Sequence, residues 1–251
     1  MPPLILAIDT AFSRCMAAVF DAVGDGRLLS ATEPEIGKGH AERLVGVIDD
    51  TLSDAGASYR DLGRIVVTTG PGSFTGIRVG VAAARGLSLA LDSPAIGVST
   101  LAALAHGVLA SEKALGSEEG DEIRSPVLAI LDARRGEVYA ALHSANGDEL
   151  NGPAALAPEL LHDFVAPAMG QAFKDVPLRL VGSGAAIAAA HLAGHRCVVA
   201  SESDRIDPEV LARLGAAIRP GDPPRPLYLR GADAKPSSMR SLREQGGESI
   251  P

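Results

Sequence analysis

Apolar and polar positions along this chain follow two periods, and each change of period marks an element. Leu6 to Ile8 runs into Asp9, the turn TAFSRC follows, and a second apolar run, Met16 to Phe20, leads to a Gly-Asp turn at Gly24 and Asp25. A β-hairpin is predicted. From Gly39 to Ala55 the period lengthens, with Ala41, Leu44, Val45, Ile48, Leu52 and Ala55 on one helical stripe that Gly56 ends. Ile65 to Thr69 reads as a buried β-branched strand, Gly70 to Arg78 as a glycine-rich turn, and Phe74 to Leu91 as a helix. Ala95 to Thr100 forms a further strand, and a helix continues through Val108.

The pattern then starts again. LAIDTAFSRCMAAVFDAVGD (6–25) lies without a gap over AILDARRGEVYAALHSANGD (129–148), which puts Asp9 on Asp132, Ala17 and Ala18 on Ala140 and Ala141, and Gly24 and Asp25 on Gly147 and Asp148. Roughly half the chain separates the copies, which favours duplication over two unrelated Ala-rich hairpins. Past the second hairpin, helices are predicted at 158–165, 185–192 and 208–218, strands at 178–181 and 197–200, and the turn GSGAA at 182–186. Hairpin, helix, strand and helix, twice over, predict an α/β fold of two actin-like lobes with mixed sheets facing each other. This is the plan of actin, hexokinase and sugar-kinase-like proteins, where a nucleotide usually occupies the cleft. The expected divisions are 1–110 for the first lobe, 111–220 for the second and 221–251 for a C-terminal segment that docks in part and frays at its end. Ser111 to Ser125 is charged and polar, as an exposed connector would be.

Composition narrows the functional classes. The 251 residues are 46% hydrophobic and 22% charged, which excludes wholesale disorder. With five Phe, three Tyr, no Trp and a formal charge of −8, the chain offers few rings for stacking bases and repels a phosphate backbone. Direct binding of RNA by this chain alone is disfavoured. Two cysteines without CxxC spacing suggest no disulfide framework or cysteine zinc site. The start has no basic residue before its apolar stretch, and Arg85 interrupts the longest low-charge run, Val79 to Leu91. A cytoplasmic protein without membrane association is the expectation.

GPGSFTGIR (70–78) is the densest chemical signal. Its glycines permit tight turns, Ser73 or Thr75 is placed to cap the helix, and the amides near Gly70, Gly72 and Gly76, with Arg78, suit an anion. The alternative is a capped helix with a constrained entry, because the P-loop lysine is missing. Within that helix Gly76, Gly80, Ala84 and Ser88 recur every four residues, leaving one face nearly without bulk. Glycine inside a helix costs about 0.8–1.0 kcal/mol relative to alanine, so a close contact must compensate. Spacing leaves open whether that contact lies within the chain or across an interface. Asp9, Thr10, Asp132, Gly182 and Gly184 stand where actin-like proteins hold phosphate and magnesium, yet TAFSRC has no glycine to wrap a phosphate. His40 lacks a second ligand one turn on, where Leu44 stands, and the remaining histidines are scattered, so no metal site is read. No Ser-His-Asp grouping or GxSxG motif is readable either.

The segments LAIDT (6–10), HAERL (40–44), TTGPGSFTGIRVGVAAARGLSLAL (68–91), GVSTLAALA (97–105), LDARRGEVYAAL (131–142) and PLYLRGADAK (226–235) resemble, in order, the bacterial TsaB (YeaZ) proteins. The resemblance implies a two-lobe actin-like fold that has lost much of its catalytic equipment. It further implies a scaffold subunit of the machinery that transfers threonylcarbamoyl to N6 of a tRNA adenosine. In that machinery the paralogue TsaD, with a HxxxH metal site, performs the transfer; the ATPase TsaE joins, and an adenylate source supplies the donor. ATP and metal then belong to partners, and the chain itself binds no cofactor. The implied TsaD interface is Leu44, Val45, Val47 and Ile48 of the first helix with Gly76, Gly80, Val81, Ala84 and Arg85 of the second. The same surface would serve a homodimer when the chain is alone. The competing expectations are an ATP-binding actin-fold enzyme using Asp9, Asp132 and the GSGAA turn, and a peptidase in keeping with the older glycoprotease label.

Overall fold

The structure, a computed structural model, describes residues 4–114, 125–167 and 176–230. Most of the connector expected at 111–125, and all of the chain beyond Arg230, lie outside the described residues.

The first half runs β1 (Leu4–Asp9), β2 (Met16–Asp21), β3 (Arg27–Thr32), α1 (His40–Asp54), β4 (Leu62–Gly70), α2 (Phe74–Leu91), β5 (Ala95–Ser99) and α3 (Thr100–Ala114). The second runs β6 (Val127–Arg134), β7 (Glu137–His143), β8 (Glu149–Leu156), a single 3-10 turn leading into α4 (Leu161–Val165), β9 (Leu178–Val181), α5 (Ala185–His191), β10 (Cys197–Ser201) and α6 (Pro208–Ala217). Each half makes a five-stranded sheet, ordered β3-β2-β1-β4-β5 and β8-β7-β6-β9-β10. The two orders are one plan, so Asp9, the last residue of β1, and Asp132, two residues before the end of β6, stand on equivalent strands. In both, antiparallel hairpins occupy one side and parallel strands the other.

Alternation in β1 decides what each face of the first sheet meets. Leu6 and Ile8 pack with Leu44, Ile48, Ile77 and Val81 of α1 and α2. Ile5 and Ala7 point the other way, into a core that also takes Val66 of β4, Leu101 and Leu104 of α3, Leu211 of α6, and Val127, Ala129 and Leu131 of β6. One core therefore joins both halves.

That core does not respect the divisions expected at residues 110 and 220. α3 comes from the first half and lies on β6 and β7, whereas α6 comes from the second half and lies on β1, β2 and β4. A sheet buried on both faces needs a helical layer on each, and the exchange of α3 and α6 supplies the inner one. α6 approaches closely because residue 215 is glycine; a Cβ there would collide with the Val66 side chain. Arg64 of β4 then satisfies the helix end, its Nη1 donating to the carbonyls of Gly215 (2.6 Å), Ala216 (2.8 Å) and Ile218 (2.9 Å). The C-terminal segment docks as far as Arg230. Leu227 N–H donates to the Thr69 carbonyl at 2.8 Å, and Arg230 pairs with Glu137 across the cleft.

Among the described residues α2 alone has the length and apolarity of a membrane-crossing helix. Its buried residues Gly76, Ile77, Gly80, Val81 and Ala84 belong to the layer on β1 and β4.

Candidate functional site

Two places concentrate the residues singled out above: the cleft between the lobes and the paired helices α1 and α2.

At the cleft, Asp9 is buried, 3% exposed, and its Oδ1 accepts from the Thr68 hydroxyl at 2.6 Å and the Ala11 N–H at 3.0 Å. Burial pushes its carboxyl above the usual range, although those two hydrogen bonds pull the other way. Asp9 lines a hollow of about 10 Å³, large enough for about one water, together with Arg14, Glu33, Asp204 and Arg205. Asp132 lines a different space, an open cleft of about 1320 Å³. Its Oδ1 accepts from Arg134 N–H at 2.7 Å, and its Oδ2 pairs with the Arg134 guanidinium at 3.2 Å. The two aspartates thus stand on equivalent strands without sharing a cavity, while Asp204 lines both spaces.

Around the large cleft stand Arg78, Arg134, Arg135 and Arg230. Arg134 and Arg135 both have positive φ (62° and 58°), where the tight β6–β7 turn bends. Arg78 lies 3.6 Å over the Phe74 ring, and its Nε donates to the Tyr228 hydroxyl at 2.9 Å. The GSGAA turn packs on its own sheet: Cβ atoms at Gly182 or Gly184 would press on the backbone of Ile130 or Leu131.

The turn Gly70 to Arg78 caps its helix as expected, with Ser73 Oγ accepting from Gly76 N–H at 3.2 Å. Ser73 N–H donates to the Ala11 carbonyl at 2.7 Å, so the amides of Ser73 and Gly76 are bonded within the chain. Gly72 is needed because its Cβ would stand 2.6 Å from the Ala11 oxygen, and Gly70 has φ 106°. Thr75 is exposed and, despite its spacing, is not the cap.

The four-residue glycine spacing is resolved by Thr10. Its hydroxyl donates to the Gly76 carbonyl at 2.7 Å, and a Cβ at Gly76 or Gly80 would run into Thr10 itself. The small face of α2 therefore lies against its own first lobe. Gly76, Gly80, Val81 and Ala84 are buried there, and Leu44, Val47 and Ile48 of α1 are buried in the same core. In the isolated chain none of these seven presents a side chain to solvent. Val45, 59% exposed, and Arg85 remain outward.

The opposite face of α2 carries what periodicity concealed. Ala82, Arg85, Gly86, Leu89 and Ala90 are exposed, Leu89 at 88%, and no atom lies near the missing Cβ of Gly86 or of Gly46 on α1. Leu89, an apolar residue off the stripe of Gly76, Gly80, Ala84 and Ser88, was the available signal.

His40 is buried, with Nε2 3.1 Å from the Arg14 carbonyl oxygen. Among the described residues no three His, Cys, Asp or Glu side chains are grouped to hold a metal. The Cys15 thiol is pushed up to about 11, first by burial and then by Asp9, which keeps it protonated at neutral pH.

Comparison with known proteins agrees with this architecture. The family described as "TsaD: tRNA N6-adenosine threonylcarbamoyltransferase" matches residues 33–204. The tRNA threonylcarbamoyladenosine biosynthesis protein TsaB of Escherichia coli K12 is 35% identical over 173 residues, covering 66% of this chain and 68% of that protein. The uncharacterized protein Rv3421c of Mycobacterium tuberculosis is 34% identical over 244 residues, covering 94% and 95%. Among solved structures, YeaZ from Pseudomonas aeruginosa aligns at TM-score 0.64 and 25% identity, covering 85% of this chain and 90% of that one. A second Pseudomonas aeruginosa protein, described as similar to the peptidase YEAZ, aligns at TM-score 0.68 and 27% identity over 90% and 99%. With a family match over more than half its length and both relatives and structures of that kind, the chain belongs to the TsaB/YeaZ family.

Proposed function

We propose that this chain serves tRNA threonylcarbamoyladenosine formation as a non-catalytic subunit, pairing with TsaD through the outward faces of α1 and α2. The carrying observation is the exposed Leu89 and Val45 on two helices packed side by side, with the open positions Gly46 and Gly86 beside them. Leu89 and Val45, with the small positions near them, would give a partner an apolar surface to cover. Small residues around it let a partner helix approach closely. The cleft supports the same reading from the other side: the Asp9 carboxylate is enclosed and bonded, and the amides of Ser73 and Gly76 are taken within the chain. TsaE would join the resulting pair, and ATP and metal would be held by these partners, with tRNA reached only through them.

The test is co-purification of the tagged chain with TsaD, followed by tRNA modification after addition of TsaE, the adenylate source and tRNA. Leu89→Asp is expected to abolish both pairing and modification while leaving the chain folded. Pairing that survives Leu89→Asp together with Val45→Asp would overturn the assignment. Tight binding of ATP with turnover by the isolated chain would overturn the non-catalytic role.

A further inference from the structure

Each sheet has two edges, and three of the four are blunted. β8 carries Pro153 and Glu149, β3 begins with Arg27, and β5 lies under the C-terminal segment, where Pro224 comes within 3.1 Å of the Cβ position of Gly97. The fourth edge, β10, reads CVVAS, with neither proline nor charge. Among the described residues no strand pairs with its outer side. Val198 and Val199 are 47% and 42% exposed, so apolar surface shows on both faces of the strand. Such an edge is a template for another strand.

We propose that β10 pairs antiparallel with β10 of a second copy about a two-fold axis at Val199, joining two second-lobe sheets into one. The Arg196 carbonyl accepts from Leu178 N–H of β9 at 2.7 Å. By the alternation of a pleated strand, the N–H and C=O of Val199 then face away from β9. The Ser201 carbonyl is already taken by Gly182 N–H at 2.9 Å, beyond a register shift that follows Val199. The free ladder is thus short and centred on Val199.

The flanking charges select the occupant. Arg196 precedes the strand, Glu202 follows it, both are exposed, and neither has an ion-pair partner among the described residues. Opposite charge at the two ends is self-complementary under a two-fold axis: Arg196 of each copy meets Glu202 of the other, twice per dimer. A parallel arrangement would bring like charges together. This surface lies on the second sheet, apart from α1 and α2, so it is independent of the pairing proposed above.

Sedimentation velocity over a concentration series tests it, with the full chain carrying Leu89→Asp so that the α1–α2 face contributes nothing. A reversible monomer–dimer equilibrium that weakens with salt is expected. Arg196→Glu or Glu202→Arg alone should weaken dimerisation at least about tenfold, and the two together should restore it, since the exchanged charges again oppose. Val199→Pro, which removes the central N–H, should leave monomer; the charge exchanges decide the matter if that variant does not fold. Monomer at all concentrations, or a dimer indifferent to both single reversals, would overturn the proposal.

Discussion

The hydroxyl of Thr10 donates to the carbonyl of Gly76 at 2.7 Å, and the carbonyl of Thr10 occupies the space that a side chain at Gly76 would need. The first turn of the fold and the first turn of α2 are thereby seated in each other.

Alanine at Gly76 or Gly80 is expected to destabilise the isolated chain by about 1–3 kcal/mol, because overpacking against backbone outweighs the gain in helix propensity. Gly86→Ala, on the same helix but facing open space, is expected to stabilise by about 0.5–1 kcal/mol. Urea unfolding of the three variants checks the contrast. Equal effects at Gly80 and Gly86 would show that the small face is not seated on Thr10.

Leu44 and Val45 are neighbours in α1 with opposite roles. Leu44 is 1% exposed inside the core and Val45 is 59% exposed. Leu44→Ala should cost about 2–5 kcal/mol, whereas Val45→Ala should stay within about 0.5 kcal/mol and act only on pairing with TsaD. Thermal unfolding alongside co-purification separates the two.

His143 closes β7 with its ring buried, and burial, reinforced by His106, pushes its pKa down to about 4. The unfolded chain binds the proton more readily, so this group's stabilisation is complete above pH 6.5 and is lost as pH falls toward 4. The loss amounts to about 3 kcal/mol over that window. Denaturant unfolding at a series of pH values should show this slope, and His143→Gln should flatten it. An unchanged slope in that variant would place the titration elsewhere.

Asp9 works in the opposite sense. Its carboxyl is raised above the unfolded value by burial, so folding favours the protonated form and this group's stabilisation is lost as pH rises through the folded value. Asp9→Asn, which keeps an acceptor for Thr68 and Ala11 without the charge, is expected to be at least as stable as the parent at pH 7, the difference vanishing in acid. Urea midpoints at both pH values test this. Full tRNA modification by the same variant, measured with TsaD and TsaE, is the expected functional result, and its loss with normal pairing would point to an active cleft.

The duplication was legible because the two hairpins repeat their apolar alternation and turn residues position by position. The order of elements followed only in part: α2 was expected at 74–91, where it is found, but β3 (Arg27–Thr32) and β8 (Glu149–Leu156), the third strand of each antiparallel group, were not read. The face of α2 that meets another surface was not legible. Gly76, Gly80 and Ala84 announce a close approach, but the approaching group is Thr10, sixty-six positions from Gly76, and nothing local names it. The same holds for α6, whose apolar stripe fits either sheet until Gly215 meets Val66 and Arg64 reaches its carbonyl end.

What the order of residues determined by itself was local: period selects helix or strand, glycine and proline place the turns, and two copies of one pattern make two sheets of one plan. Tertiary structure decided which sheet each helix covers, which face of α1 and α2 is left to solvent, and whether Asp9 and Asp132 share a cavity. These depend on contacts between residues far apart in the chain, where close packing admits one partner and excludes others of equal hydrophobicity.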